Sequence, residues 1–535
     1  MDSIRLTRRN ALALLAGGAV GGLLAACQSV AQPQAAPAPA VGGLTPVAPT
    51  APAASQPRRG GTLRAGIQTD LPNTDPWFTA PSNYDALWVA FDRLIALDAH
   101  LQPQPMLAES WDLSSDFTQV KLNLRNGVQF HSGREFTSDD VKYNLMHVRD
   151  PKVGSGSLVA FSNWWTIETP DKYTVELKSD SPRPLLWDYL EYLNIADSQV
   201  LDGPDSKTKV GGTGPFVFAE WSQGDHIHLV KNANYWQGGK PYLDSIDYAI
   251  FKDAQTMLAQ LEAGGLDMAL NPPLRDLSRL KNDSTFQAIS NPQSGRYYTV
   301  GWTTLASPLD DKRVRQALNY ALDRQRFVDT LLDGFGTAET LFWLPGSPAY
   351  DPARANYYTF DLDKAAGLLR DAGATRFQLE YLISPNFPEL ADFGQIYQAD
   401  LAKIGVTLTI RQVDSAAFFD AINNRKYTGM YAITSARAQL QPASMLLTGG
   451  ATNPSNNNSG YSSDAYTQLT NAAATETDPQ KQKQIYSQLN DLLLDAAFNT
   501  ALASASPHML LLSSFQGIGY TLHEGFDWSG VWKTA

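Results

Sequence analysis

"MLAESWDLSSDFTQVKLNLRNGVQFHSGREFTSDDVKYNLMHVRDP", Met106 to Pro151, changes its period halfway along. Between Asp116 and Val128 the apolar residues Val120, Leu122 and Leu124 alternate with polar ones, the spacing of a half-buried hairpin strand. Gly127 and Gly133 suit turns. After Phe136, Thr137 or Ser138 stands where a helix is capped, and Val141, Tyr143 and Leu145 carry the helix onward. The adjacent acids Asp139 and Asp140 read as a helix start rather than as an acid–base pair. Strand, turn and helix in one stretch point to a mixed α/β chain. These residues specify a fold; none of them is a ligand anchor.

The same two periods recur outward. "HIHLVK" (His226 to Lys231), "FQLEYLI" (Phe377 to Ile383) and "VTLTIRQV" (Val406 to Val413) alternate as strands. "DDKRVRQALNYALDR" sets Val314, Ala317, Leu318, Ala321 and Leu322 on one helical stripe, with Asp310 or Asp311 as cap. "DLDKAAGLLRDAGA" is a second helix, ended by Gly373. "TDPQKQKQIYSQLNDLLLDAA" is capped by Asp478, with Pro479 at its first position and a stripe of Ile485, Leu489, Leu492, Leu493 and Ala496. There is no internal repeat.

The first sixty residues follow a different logic. Arg5, Arg8 and Arg9 precede an uncharged run from Ala11 to Ala26, too short for the ~20 residues that span a bilayer. A basic start, a short apolar core and small residues at its end make a secretory signal. The pair Arg8–Arg9 in "TRRNAL" resembles a twin-arginine export signal, although Ala11 stands where an aromatic is usual. "LAAC" (Leu24 to Cys27) resembles a bacterial lipobox, which implies cleavage before Cys27 and acylation of its thiol. Cys27 is the only cysteine in the chain, so no internal disulfide competes for it. Gln28 to Gln56 holds Ala, Pro, Gln, Thr and Ser without a charge, a composition that cannot bury a core. Its prolines favour extended chain at up to ~3.1 Å per residue, which suits a tether.

The roughly 475 residues beyond the tether are too many for one core and imply two or more lobes. With 43% hydrophobic and 18% charged residues the composition is globular. A net charge of -12 argues against a nucleic-acid partner, which would meet a basic face. The chain has no G-x-S-x-G elbow, no H-E-x-x-H helix and no G-x-x-x-x-G-K-[ST] loop, so hydrolase and nucleotide sites are disfavoured. His226 and His228 point to one face of a strand, yet no further ligand completes a metal site, and no cofactor is expected. "NPSNNNSG" (Asn453 to Gly460) is a polar loop without assignable chemistry.

An ordered series of segments carries a family resemblance. "RRGGTLRAGIQTDLPNTDPWF" (Arg58 to Phe78), the Met106–Pro151 stretch, "GGTGPFVFAEW", "LVKNANYWQGGKPYLDSI", "QLEAGGLDMAL", "LDDKRVRQALNYALDRQRFVDTLLDGFG", "DLDKAAGLLRDAG" and "LAKIGVTLTIRQVDSAAFFDAI" resemble, in order, the landmarks of bacterial family 5 extracellular solute-binding proteins. The resemblance runs from Arg58 to the C-terminus. It implies an α/β fold of the type II periplasmic-binding-protein kind, with two ligand-enclosing lobes and an extra domain inserted near the N-terminus. The expected limits are a signal at 1–26 and a tether at 27–57. Lobe I takes about 58–92, 193–300 and 500–535, the insert about 93–192, and lobe II about 301–499. The implied role is a membrane-tethered, extracytoplasmic receptor that delivers a small solute to an ABC permease and its ATPase. A sensor or chaperone-like binder uncoupled from transport is the alternative.

Fold does not fix the solute. Peptide-binding relatives hold the peptide's ammonium with an aspartate in a segment similar to "SARAQLQP" (Ser435 to Pro442), and here Ala438 takes that position. A buried ammonium without a counter-ion loses several kcal/mol, so a non-peptide ligand such as an oligosaccharide is favoured unless another acid substitutes. Arg437 is either an attractor for an anion or a solvated loop residue. Trp164 and Trp165 are candidate stacking platforms, one of them at least competing with a core role. Tyr297, Tyr298 and Trp302 lie where the chain is expected to cross between lobes. Asn386 and Phe387 follow a strand, where loops carry binding. Trp343 completes the candidates.

Overall fold

The computed structural model describes residues 57–77, 83–98, 100–150, 153, 158, 161–203, 209–291, 295–435, 440–522 and 525–534. Arg8, Arg9, Cys27 and the tether fall outside these residues.

The first lobe is built on a seven-stranded sheet. Its spatial order is Phe216–Ser222, His226–Lys231, Ser245–Ile250, Thr62–Ile67, Met268–Leu270, His508–Leu512 and Phe286–Ser290. The central strand Thr62–Ile67 runs parallel to both of its neighbours, and the remaining pairs are antiparallel. Leu63 and Ala65 are fully buried in it. A side chain at Gly66 would place its Cβ 2.7 Å from Leu266 and Met257, so glycine lets helix Ala254–Glu262 close on the strand.

The opening stretch folds as its two periods direct. Gln119–Leu124 lies within a four-stranded antiparallel sheet, beside Ala108–Leu113 and Thr174–Lys178, with Thr166–Asp171 outermost. Val120, Leu122 and Leu124 are buried. Helix Ser138–His147 starts at Thr137, whose backbone N–H donates to the Asp140 carboxylate at 2.9 Å. Arg134 then donates to Asp140 and to Asp197, each at 2.6 Å, and fastens the insert to the chain re-entering the first lobe.

The second lobe is a six-stranded sheet in the order Thr337–Ala338, Asn499–Ala505, Arg296–Trp302, Met430–Ser435, Phe377–Ile383 and Val406–Gln412. Phe377–Ile383 pairs in parallel on both sides. The helices Lys312–Tyr320, Leu362–Asp371 and Pro479–Ala496 carry the caps Asp311, Asp361 and Asp478. One expected helix is two: the chain leaves the first at Ala321, and Asp323 caps a second, Arg324–Leu331.

The chain enters the second sheet between Ser290 and Arg296 and returns between Ala505 and His508. Arg296–Trp302 and Asn499–Ala505 therefore pair within the second lobe, a few residues from the limits expected near 300 and 500. The result is a two-lobed α/β protein with an inserted sheet, joined by two crossings.

Candidate functional site

In open α/β sheets, ligands sit beyond the carboxyl ends of parallel strands. In the first lobe those ends lead to Gln68 and Asn271, and in the second the end of Phe377–Ile383 leads to Pro388 and Glu389. A cavity of about 280 Å³ lies between them. Gln68, Asn271 and Pro273 line it from the first lobe, Arg296, Tyr298 and Glu389 from the second, and Ser506 and His508 from the returning crossing. Gln68 donates its side-chain amide to the Asn271 carbonyl at 3.1 Å, and Asn271 donates its backbone N–H to the His508 carbonyl at 2.8 Å. These bonds set the polar rim.

Its electrostatics follow from burial. Burial pushes the Glu389 carboxyl above the ordinary range, and Arg296 opposes this. Burial, reinforced by Arg296, pushes His508 down to about 4, which leaves a neutral imidazole at pH 7. Its Nδ1 lies 3.2 Å from the Ser290 hydroxyl. The cavity thus offers a permanent cation, a weakened acid, amides and hydroxyls, a set suited to holding a polar solute by hydrogen bonds. Among the described residues no cluster of three metal-ligating side chains occurs. A second cavity of similar volume, lined by Asp92, Arg93, Tyr235 and Lys240, receives nothing from the second lobe. Contribution from both lobes therefore selects the cavity between them.

The structure sorts the expected site residues. Tyr298 lines the cavity. Asn386 is exposed and Phe387 packs on Phe418 with ring centroids 5.9 Å apart, both just ahead of Glu389. Trp164 is half-buried, edge-on to Phe161 at 4.5 Å, with the Arg183 guanidinium 4.4 Å from its ring. Trp165, Tyr297, Trp302 and Trp343 are interior, between 0% and 3% exposed. The stacking expected of Trp165, and the ligand contact expected of Tyr297, Trp302 and Trp343, give way to packing. For Tyr297 and Trp302 the reason is that Arg296–Trp302 is a central strand buried along nearly its whole length, so both alternating sets of side chains are covered. Trp343 also donates its Nε1–H to Asn490 at 2.6 Å. Arg437 and Ala438 lie outside the described residues. His226 meets Asp225 and Glu220, and His228 meets Asp247.

One further contact joins the lobes. Asp188, on helix Leu186–Tyr192 of the insert, accepts the Gln441 backbone N–H at 3.0 Å and the Ser444 hydroxyl. Both donors belong to the start of helix Pro442–Thr448 in the second lobe. The sequence signal was an acid on the apolar stripe of "PLLWDYLEYL", where burial without a partner would be costly. Arg296, Glu389 and His508 carried no comparable signal.

Comparison with known proteins places this geometry among relatives. The model of the bacterial extracellular solute-binding proteins, family 5, middle region, matches residues 102–481. Heme-binding protein A of Haemophilus influenzae is 32% identical over 334 residues, 57% of this chain and 60% of that protein. Glutathione-binding protein GsiB of Salmonella typhimurium is 28% identical over 75% of this chain and 81% of its own. The chain thus spans less than two thirds of the heme-binding relative. Among solved structures, the periplasmic binding protein AgaA of A. tumefaciens R10, in complex with agropinic acid, superposes with a TM-score of 0.77 at 25% identity, covering 89% of this chain and 99% of that one. DppA from Helicobacter pylori, in complex with the peptide STSA, gives 0.78 at 24% identity with the same coverages, and this likeness concerns the fold alone.

Proposed function

The chain belongs to the bacterial extracellular solute-binding proteins of family 5, and from that premise we propose that it is the lipid-anchored receptor of an ABC importer, capturing a non-peptide solute between its lobes for delivery to a membrane permease. The observation that carries the reading is the cavity between the two sheets, lined from both lobes and from the returning crossing. Two crossings between rigid sheets suit hinge closure around a solute. The relatives named above are binding proteins, which supports capture without turnover.

The ligands named for these proteins, heme, glutathione, agropinic acid and a peptide, share no single chemistry, so the solute follows from this chain's residues. Ala438 supplies no carboxylate for a peptide ammonium. Arg296 in the cavity favours a neutral or anionic polar solute, such as an oligosaccharide. A free-amine peptide is the second reading, favoured by one observation: Glu389 also lines the cavity and is an acid that can replace the missing one.

Mass spectrometry of small molecules released from the purified protein identifies the solute directly. In calorimetry against oligosaccharide and peptide panels, free-amine di- and tripeptides are expected to bind no tighter than millimolar. Micromolar binding that is lost on N-acetylation and in Glu389→Gln would transfer the assignment to peptides. Small-angle scattering with the solute so identified is expected to show a smaller radius of gyration, and an unchanged radius at saturation would remove the hinge mechanism.

A further inference from the structure

Helix Pro442–Thr448 directly follows the segment in which peptide-binding relatives place their anchor. None of its own side chains caps it. Pro442 at its first position has no N–H to offer. The acceptor instead arrives from the insert: the Asp188 carboxylate, 3% exposed, takes the Gln441 N–H and the Ser444 hydroxyl. The partners lie 253 and 256 residues apart in the chain. We propose that Asp188 is an interlobe latch, a positioning residue that caps this helix whenever the lobes are closed, with or without solute, and so ties the start of the helix to closure. The proposal rests on the reading of the chain as a hinge-closing receptor.

The surroundings of Asp188 make the latch sensitive to protons. On its own helix Glu191 raises its pKa, while Glu191 is itself held by Arg93 at 3.3 Å and by the Leu97 N–H at 2.6 Å. From helix Pro479–Ala496 the Tyr486 hydroxyl feels its charge. The Tyr189 hydroxyl next to it in sequence is under the influence of Arg149. Leu158, Phe161, Tyr192 and Leu440 surround it with apolar surface. Arg437 belongs to the adjoining segment outside the described residues. Burial is the largest influence and pushes the carboxyl up to about 7. In an open cleft the group returns toward its ordinary value near 4. Closure therefore takes up a proton: this contribution is complete below about pH 4 and fades as pH rises through about 7. The latch holds better at pH 6 than at pH 8.

Hydrogen–deuterium exchange on the full chain, without added solute, reads the latch at the Gln441 amide itself. At pH 6, Asp188→Ala is expected to speed exchange over 440–448 by about tenfold, the scale of one lost buried hydrogen bond. The strands of both sheets should exchange as in the wild type. Asp188→Asn keeps an oxygen that can accept both bonds, so it should retain protection. It should also lose the wild type's extra pH 6 to pH 8 change, once intrinsic amide rates are divided out. Unchanged exchange over 440–448 in Asp188→Ala, or deprotection spread evenly through both lobes, overturns the proposal. Such a result is distinct from a failure of hinge closure, which the scattering measurement reads separately.

Discussion

Arg324→Met is expected to lower the unfolding free energy of the second lobe by about 3–5 kcal/mol, the scale of several buried acceptors left without a donor. Arg324 is 3% exposed and opens helix Arg324–Leu331. Its Nε donates to the Glu339 and Ala501 carbonyls at 3.1 and 2.8 Å. One terminal nitrogen reaches the Asn319 and Tyr358 carbonyls, and the other reaches the Asn319 side chain and the Thr500 hydroxyl. Burial pushes the guanidinium down to about 10, which still leaves it charged at neutral pH. Each acceptor it serves is interior, so methionine fills the volume and leaves the acceptors bare. Lysine restores a charge but not the planar fork, and should recover only part of the loss. Urea unfolding followed by tryptophan fluorescence measures the effect, with the exposed Arg313→Gln as a control that should not move the midpoint. A midpoint for Arg324→Met equal to the wild type's would show that the network contributes nothing.

That arginine also shows where the sequence was readable and where it was not. The stripe of "DDKRVRQALNYALDR" was visible because all five of its apolar residues are fully buried. The break after Ala321 was not, although Asp323 is an N-cap of the same kind as Asp311, because the apolar period runs through it. Helix Pro479–Ala496 shows the complementary limit. Leu489, Leu493 and Ala496 are buried as expected, whereas Ile485 and Leu492 are half-buried and Asn490 lies inside. Asn490 is buried because it accepts from Trp343 and donates to the Ala349 carbonyl at 2.8 Å, and hydropathy cannot see such pairing.

The same blindness governed the site. "NPSNNNSG" reads as a polar loop, yet Asn457 and Ser459 are interior and bond the Tyr461 and Phe498 carbonyls at 2.7 and 3.0 Å. Tyr297 and Trp302 are candidates by residue type alone, and a central strand covered on both faces hides them whichever way they point. Tyr298, 6% exposed on the same strand, nonetheless lines the cavity. Asp188 and Glu389 act through partners hundreds or tens of residues away, so only the assembled lobes reveal them.

Cys27→Ser is expected to move the protein from the membrane fraction to the soluble fraction almost completely. The motive is "LAAC" at the end of an uncharged run, with Cys27 as the sole thiol in 535 residues. Each buried lipid methylene contributes about 0.8 kcal/mol, and a single myristoyl chain gives an association constant of only about 10⁴ M⁻¹. Stable retention therefore needs more than one chain, and a thiol-linked lipid with several chains exceeds that threshold widely. Serine's hydroxyl is a far poorer nucleophile than a thiolate and does not take the lipid. The uncharged run from Ala11 to Ala26 is shorter than the ~20 residues of a spanning helix and is a weak substitute anchor if it remains uncut. Membrane fractionation with immunodetection reads the distribution, and intact-mass analysis of the wild type reads the lipid on residue 27. Continued retention of Cys27→Ser together with an unmodified Cys27 in the wild type would remove the anchor from the proposed function. The interlobe cavity and the Asp188 latch would stand unaffected, because both lie wholly within residues 68–508.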